Sequence, residues 1–179
     1  AKVFSHDLTK IYRESYGMFC SNGILFNHES PFRGETFVTR KITRAVGRIH
    51  MGLQSKLTLG NLNAKRDWGF AGDYVDGMYK ILDYSDPSDW VIATGTAHSV
   101  EDFAKKAFNL IGKNYEDHVE TSERYLRPNE VNYLLGDPSK ANNLLNWESS
   151  TSFDDLIKLM VESDIEIATK EKMLLDNGL

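Results

Sequence analysis

The stretch "MFCSNGILFNHESPFRGETFVTRKITRAVGRIHM", residues 18–51, decides how the whole chain is read. Its first ten residues are apolar enough for a buried strand, and Gly23 within them marks a bulge or a close backbone approach. "HESPFRGE" (28–35) is a loop, broken by Pro31 and Gly34. From there Phe37, Val38, Ile42, Val46 and Ile49 recur at helical spacing. A strand that feeds a loop and then an amphipathic helix is the building unit of an α/β protein.

The same alternation continues on both sides. Upstream, Val3, Leu8, Ile11 and Tyr12 share one helical stripe over residues 3–16. Downstream, "KLTLGN" (56–61) is a short strand, and "AKRDWGF" (64–70) runs extended into a turn. "DYVDGMYKILDY" (73–84) is a helix whose apolar positions are Val75, Met78, Tyr79 and Leu82, and "DWVIAT" (89–94) is a strand. Ser99 with Asp102 forms a capping-box pattern that opens a helix through Phe103, Ala107, Phe108 and Ile111, closed by Gly112. "NYEDHVE" (114–120) is a further strand. Ser152 and Asp155 repeat the capping pattern before Phe153, Leu156, Ile157, Met160 and Val161. Helices and strands alternate throughout, with no internal repeat and no low-complexity stretch, which makes the fold class α/β.

Composition narrows the function. The chain has 179 residues, 41% of them hydrophobic, enough for a substantial core. Cys20 is the one cysteine, so an internal disulfide is impossible and a reducing, cytoplasmic setting is expected. No apolar run reaches the ~18 residues of a membrane span. A net charge of −5 argues against wholesale nucleic-acid binding. That charge is uneven. Arg33, Arg40, Lys41, Arg44, Arg48, Lys56, Lys65 and Arg66 lie in one segment whose single acid is Glu35, while the tail from Glu148 onward is acidic. The basic segment is either a solvated helix face or a cleft for an anion.

Several other patterns carry no chemistry. "SHD" (5–7) holds the residue types of a hydrolase triad, but neighbours on a helix point about 100° apart and cannot converge on one atom. The five histidines lack partners at metal-ligand spacing, so no metal is expected. Asp154 and Asp155 read as acids favoured by a helix N-terminus. No phosphate-gripping P-loop and no glycine-rich pyrophosphate loop occurs.

Four stretches carry a resemblance: "NGILFNHESPFRGETFVTRKI" (22–42), "LGNLNAKRDWGFAGDYVDGM" (59–78), "VIATGTAHSVEDF" (91–103) and "RPNEVNYLLGDPSKA" (127–141). Together they resemble the GDP-mannose 4,6-dehydratase family of extended short-chain dehydrogenases/reductases, from Ala1 to about Lys170. The resemblance implies the C-terminal part of such an enzyme. Residues 1–34 would end an NADP-binding Rossmann domain, to which some later segments return, and residues 35–179 would be mostly the nucleotide-sugar-binding domain.

The resemblance also implies roles. Lys2 would be the lysine of a Tyr-x-x-x-Lys pair, binding the nicotinamide ribose and lowering the tyrosine's pKa. The tyrosine would lie upstream of Ala1, with the glycine loop and the Thr and Glu catalysts, so this chain alone is expected to be inactive. His28 and Arg33 would contact NADP. Phe32 stands where the family often has a second arginine. Asn27, Thr39, Lys41, Asn61, Arg66, Arg127 and Glu130 would bind GDP-mannose.

Their own chemistry is compatible with those roles. An amide such as Asn27 offers a donor and an acceptor, and Lys41 and the helix start near Thr39 favour anions. An arginine forks onto phosphate oxygens, and a carboxylate such as Glu130 accepts two ribose hydroxyls. For Arg66 the plainer alternative is an ion pair with its neighbour Asp67.

The activity implied is dehydration of GDP-mannose to GDP-4-keto-6-deoxymannose, of the kind that leads to GDP-fucose or GDP-rhamnose. A hydride passes from sugar C4 to NADP, water leaves across C5–C6, and the hydride returns to C6. Family members form homodimers or homotetramers, and helices 3–16 and 36–51 are candidates to pack between subunits. The alternatives are another nucleotide-sugar epimerase or reductase of the same superfamily, or a non-catalytic nucleotide-sugar-binding fragment.

Overall fold

The computed structural model describes residues 1–125 and 129–178. In chain order the elements are α1 (Lys2–Tyr16), β1 (Asn22–Leu25), β2 (Asn27–Glu29), α2 (Val38–His50), β3 (Leu57–Leu59), β4 (Lys65–Phe70) and α3 (Ala71–Asp83). Then follow β5 (Asp89–Ile92), β6 (Ala97–Ser99), α4 (Val100–Asn109), β7 (Val119–Thr121), β8 (Tyr133–Leu134), α5 (Ser139–Leu145) and α6 (Phe153–Asp176). Three parallel pairings are β1 with β5, β3 with β7, and β4 with β8. Parallel strands joined through helices make this an α/β protein.

The chain forms two compact units. The first comprises residues 1–28, 67–96 and 135–151, and the second comprises 29–66, 97–134 and 152–179.

In the first unit the core is Tyr74, Ile81, Trp90, Ile92, Ala141, Leu145 and Trp147. The face of α3 is the opposite of the expected one. Val75, Tyr79 and Leu82 are 60–69% exposed, whereas Tyr74, Gly77 and Ile81 are buried. Both faces of this helix are apolar, so periodicity could not choose between them. Close approach chose: a Cβ on Gly77 would lie 3.1 Å from the Trp147 indole nitrogen and 3.3 Å from Ile92. Only the glycine face can reach that packed surface.

β1 also departs from expectation. Gly23 pairs with Trp90 in an unbroken register, so there is no bulge, and Gly23 and Ile24 are exposed. β1 is one strand of a two-stranded sheet, so it is not buried on both faces. Phe26 separates it from β2, its amide donating to the Ile92 carbonyl at 3.0 Å. Asn27 therefore begins a strand where the sequence suggested that it ends one. "AKRDWGF" enters α3 with no intervening turn, and "NYEDHVE" splits into a one-turn 3-10 helix (Tyr115–Asp117) and β7. Strands β6 and β8, at three and two residues, and helix α5, at seven, are too short for a periodic signal.

The second unit is built on α2 against α6. Ile42, Val46 and Ile49 meet Leu156, Ile157, Met160 and Val161, with Leu57, Leu59, Phe103 and Phe108 completing the core. The apolar face of α2 is thus covered within its own unit. α1 differs: it buries nothing, and Val3, Phe4, Leu8, Ile11 and Tyr12 are exposed. The capping box forms as expected, with Asp102 N donating to Ser99 Oγ at 2.9 Å and Ser99 N donating to the Asp102 carboxylate at 3.1 Å. α4 ends at Asn109, before Ile111, and Gly112 closes the following turn at φ 67°. Ser152 caps α6 by accepting from Asp155 N at 3.1 Å. Among the described residues no helix is long and apolar enough to cross a membrane.

Two predictions follow from these contacts. α2 crosses α6 at Gly47, where a Cβ would stand 2.6 Å from the Asp164 carbonyl oxygen. Gly47→Ala forces the helices apart and should destabilise by about 1–3 kcal/mol, read by urea unfolding.

The second concerns Asp89, which ties α1 to β1 and β5. Its carboxylate accepts from Arg13 Nη1 and from Asn22 Nδ2, each at 2.9 Å. The Arg13 hydrogen bond, with a smaller contribution from Asn22, holds its carboxyl below the ordinary 3.8. A folded-state pKa below the unfolded one gives stability that is fully present above the unfolded value and is lost as pH falls below it through the folded value. Urea midpoints should therefore drop as pH falls below about 4 in the parent protein, and less steeply in Asp89→Asn.

Candidate functional site

The residues singled out by sequence fall on both units. In the first, Lys2 is the exposed opening residue of α1 and Asn27 the half-buried opening residue of β2. His28 is fixed more tightly. Its Nδ1 lies 2.8 Å from the Phe26 carbonyl, and its ring packs against Tyr74 at 5.3 Å between centroids. A carbonyl only accepts, so Nδ1 carries a hydrogen and donates it there, and Nε2 is the other ring nitrogen.

The second unit brings Arg33 and Thr39 to one buried carboxylate. Thr39 Oγ1 donates to Glu29 Oε2 at 2.6 Å, and Arg33 Nε lies 3.2 Å from the same oxygen. The Arg33 guanidinium also lies over the Phe37 ring at 3.7 Å. Phe32 beside it is 96% exposed.

Lys41 lines an open cavity of about 330 Å³ together with Arg44, Arg48, Lys56, Gln54 and Tyr125. Its ammonium donates to the Thr58 carbonyl at 2.6 Å and sits 3.9 Å over the Tyr125 ring. The basic segment is therefore partly a cleft, but its cations are not bare. Arg44 pairs with Glu35, Arg48 with Glu171, and Lys56 with Glu120 at 3.3 Å. Charge density alone would have overstated its pull on an anion.

β4 and β8 bring Arg66 and Glu130 together. In register Lys65 stands against Tyr133 and Arg66 against Leu134, and Arg66 Nη2 donates to Glu130 Oε1 at 2.6 Å. Both side chains remain about one-fifth exposed, so the pair faces solvent on one side. Arg127 lies outside the described residues. Asn61 shapes its own turn: Oδ1 accepts from Asn63 N at 3.0 Å, and Nδ2 donates to Asn132 at 3.3 Å.

Asp67 is not the partner of Arg66. It belongs to the first unit, is fully buried, and accepts four hydrogen bonds. These come from Thr94 N (2.9 Å), Thr94 Oγ1 (2.7 Å), Gly95 N (3.0 Å) and Gly136 N (3.3 Å). Three loop amides and a hydroxyl occupy the carboxylate from inside the unit, which leaves no lone pair for a neighbouring guanidinium.

A family model described as GDP-mannose 4,6 dehydratase matches residues 1–160. The chain belongs to the GDP-mannose 4,6-dehydratase family. It is 55% identical over 178 residues to GDP-mannose 4,6 dehydratase 2 of Arabidopsis thaliana, covering 99% of this chain and 48% of that protein. To GDP-mannose 4,6 dehydratase of Homo sapiens it is 45% identical over 184 residues, covering 93% and 50%. The chain thus spans about half the length of these relatives.

Among solved structures it is similar to RMD from Pseudomonas aeruginosa complexed with NADPH, with a TM-score of 0.82 and 15% identity over 90% of this chain and 53% of that one. It is also similar to a Thermotoga maritima UDP-glucose 4-epimerase, at a TM-score of 0.73 and 21% identity over 93% and 52%. These likenesses show the extended short-chain dehydrogenase/reductase fold, shared by dehydratases and epimerases alike. Sequence identity, not fold, separates this dehydratase family from them.

Glu29, Tyr125 and Asp67 were not legible as site-shaping residues. Glu29 sits inside "NHESP", but nothing local says that it is buried. Tyr125 reaches Lys41 across a long sequence separation. Asp67→Asn should test the hub: its amide would turn two hydrogens toward backbone N–H donors. Because the site is buried, the loss should be about 2–4 kcal/mol in urea unfolding. Glu130→Gln, at a solvent-facing pair, should cost less than about 1 kcal/mol.

Proposed function

We propose that this chain forms the nucleotide-sugar-binding part of a GDP-mannose 4,6-dehydratase, acting on GDP-mannose with a nicotinamide cofactor that we read as NADP. The product is GDP-4-keto-6-deoxymannose, a precursor of the GDP-fucose or GDP-rhamnose type. The observation that carries this reading is the Arg66–Glu130 pair, which joins the "RDWG" and "RPNE" motifs in one solvent-facing place. Arg66 Nη1 donates to the Lys65 carbonyl at 2.8 Å, which leaves Nε and the second hydrogens of the Nη groups for a diphosphate, and Glu130 keeps a second oxygen for ribose hydroxyls. Thr39, Lys41, Asn61 and Arg127 are proposed to complete the grip, with Asn27 toward the sugar or phosphate.

The residues present fit part of a nicotinamide site. Lys2 is exposed, and His28 is held by a backbone carbonyl through Nδ1. Arg33 fits less simply, because Glu29 and Phe37 already hold its guanidinium. When bound, such a cofactor supplies the hydride acceptor. What this chain contributes is binding and orientation: a cation at the ribose, a fixed imidazole, and charged hydrogen bonds to the nucleotide. The exposed apolar stripe of α1 supports assembly as a homodimer or homotetramer, and the single cysteine is in keeping with a cytoplasmic setting.

The test uses a protein of the relatives' length that contains this chain. GDP-mannose incubated with NADP should give a nucleotide sugar lighter by one water, without net consumption of NADP. An isomer of unchanged mass would mean an epimerase instead. Arg66→Ala should weaken GDP-mannose binding by about 1.5–3 kcal/mol, with Arg66→Lys recovering only part. Because Arg66 and Glu130 are bonded to each other, Arg66→Ala and Glu130→Ala should be non-additive in titration calorimetry of GDP. Wild type should prefer GDP over dGDP, and Glu130→Ala should remove that preference.

A further inference from the structure

We propose that Arg40, neutralised by Asp164, is a positioning residue that sets the shape of the Ser30–Gly34 loop for ligand contact. This rests on the reading above, in which His28 and Arg33, on either side of Pro31, meet the cofactor.

The geometry divides the arginine in two. Nε lies 3.1 and 3.0 Å from the two oxygens of Asp164, and Nη2 lies 2.9 Å from Oδ1. Thr43 Oγ1 donates to Asp164 Oδ2 at 2.6 Å and helps to fix the carboxylate. One edge of the guanidinium is thus used to cancel charge. The other edge, Nη1, donates to the carbonyl of Pro31 and to that of Arg33 at 3.2 Å. Both members of the ion pair are buried, Arg40 at 5% and Asp164 at 2% exposure.

Other contacts also hold the loop: Phe37 N donates to the Gly34 carbonyl at 3.1 Å, and the Arg33 side chain stands against Glu29 and Phe37. The loop's internal bonds are Arg33 N to Ser30 O at 2.9 Å and Phe32 N to Ser30 Oγ at 3.1 Å. Pro31 has a carbonyl but no N–H, so its backbone can be held only by a donor from elsewhere. Arg40 is that donor, and it also bridges to the residue two positions on. A buried ion pair is a weak source of stability in itself, since apolar residues of similar volume often do as well. What an apolar pair cannot do is grip two carbonyls of a loop.

The experiment compares wild type, Arg40→Met/Asp164→Leu and Arg40→Lys in the full-length holoenzyme. The double variant leaves no uncompensated charge. The lysine keeps the charge against Asp164 but lacks the forked second edge. Hydrogen exchange of the Arg33 amide should speed up at least about tenfold in both, while the buried amides of α6 keep their rates. kcat should fall about tenfold, with KM for GDP-mannose within about twofold.

Should the double variant fail to fold, Arg40→Lys carries the comparison alone. Unchanged loop exchange overturns the proposal. So does faster exchange with unchanged kcat, because the loop's shape would then not matter to turnover. If wild type shows no dehydratase activity, the proposed function fails, and loop exchange still decides whether Arg40 holds the loop.

Discussion

The second unit depends on one crossing, where α6 presents Asp164 to three residues of α2. Arg40, Thr43 and Gly47 lie at i, i+3 and i+7, on one helical face. The first two bond the Asp164 side chain, and the third lets its backbone approach. A charge this deeply buried is tolerable only when it is paired and its remaining hydrogen-bonding capacity is used. That requirement fixes the rotation and the height of one helix on the other more sharply than the surrounding Ile, Val and Met contacts do, because apolar contacts tolerate sliding.

The first unit solves a similar problem with Asp67. The loops around Thr94–Gly95 and at Gly136 have amides that no strand accepts. A buried N–H without an acceptor is costly, so one carboxylate in the middle of β4 gathers three of them. Asp67 organises irregular backbone directly, whereas Asp164 does so only through Arg40. The two acids differ in how their charge is met: Asp164 by a guanidinium, Asp67 by backbone dipoles and a hydroxyl.

The residues proposed to bind the nucleotide sugar and the cofactor are engaged with one another and with their surroundings in the structure. Arg66 is bonded to Glu130, Arg33 stands against Glu29, and Lys41 reaches Thr58 over Tyr125. Such pairing pre-positions long side chains that would otherwise lose rotamer entropy on binding. It also means that these groups act together, so a single substitution disturbs its neighbour. Membership of the GDP-mannose 4,6-dehydratase family gives these contacts their setting, while the chain covers only about half of its relatives' length.

The sequence by itself determined the α/β class, the capping of α4 at Ser99 and of α6 at Ser152, and the family. These are local signals: period, a cap three residues from its partner, and ordered motifs. It could not choose the buried face of α3, because Val75, Tyr79 and Leu82 are as apolar as Tyr74 and Ile81, and Trp147 had to arrive from far along the chain to select the glycine side. Nor could it tell which acid Arg66 would meet. Asp67 is adjacent and Glu130 is distant, yet β4–β8 pairing delivers Glu130, while buried loop amides claim Asp67. Only tertiary structure decides which polar groups are removed from water together, and burial is what makes their pairing obligatory.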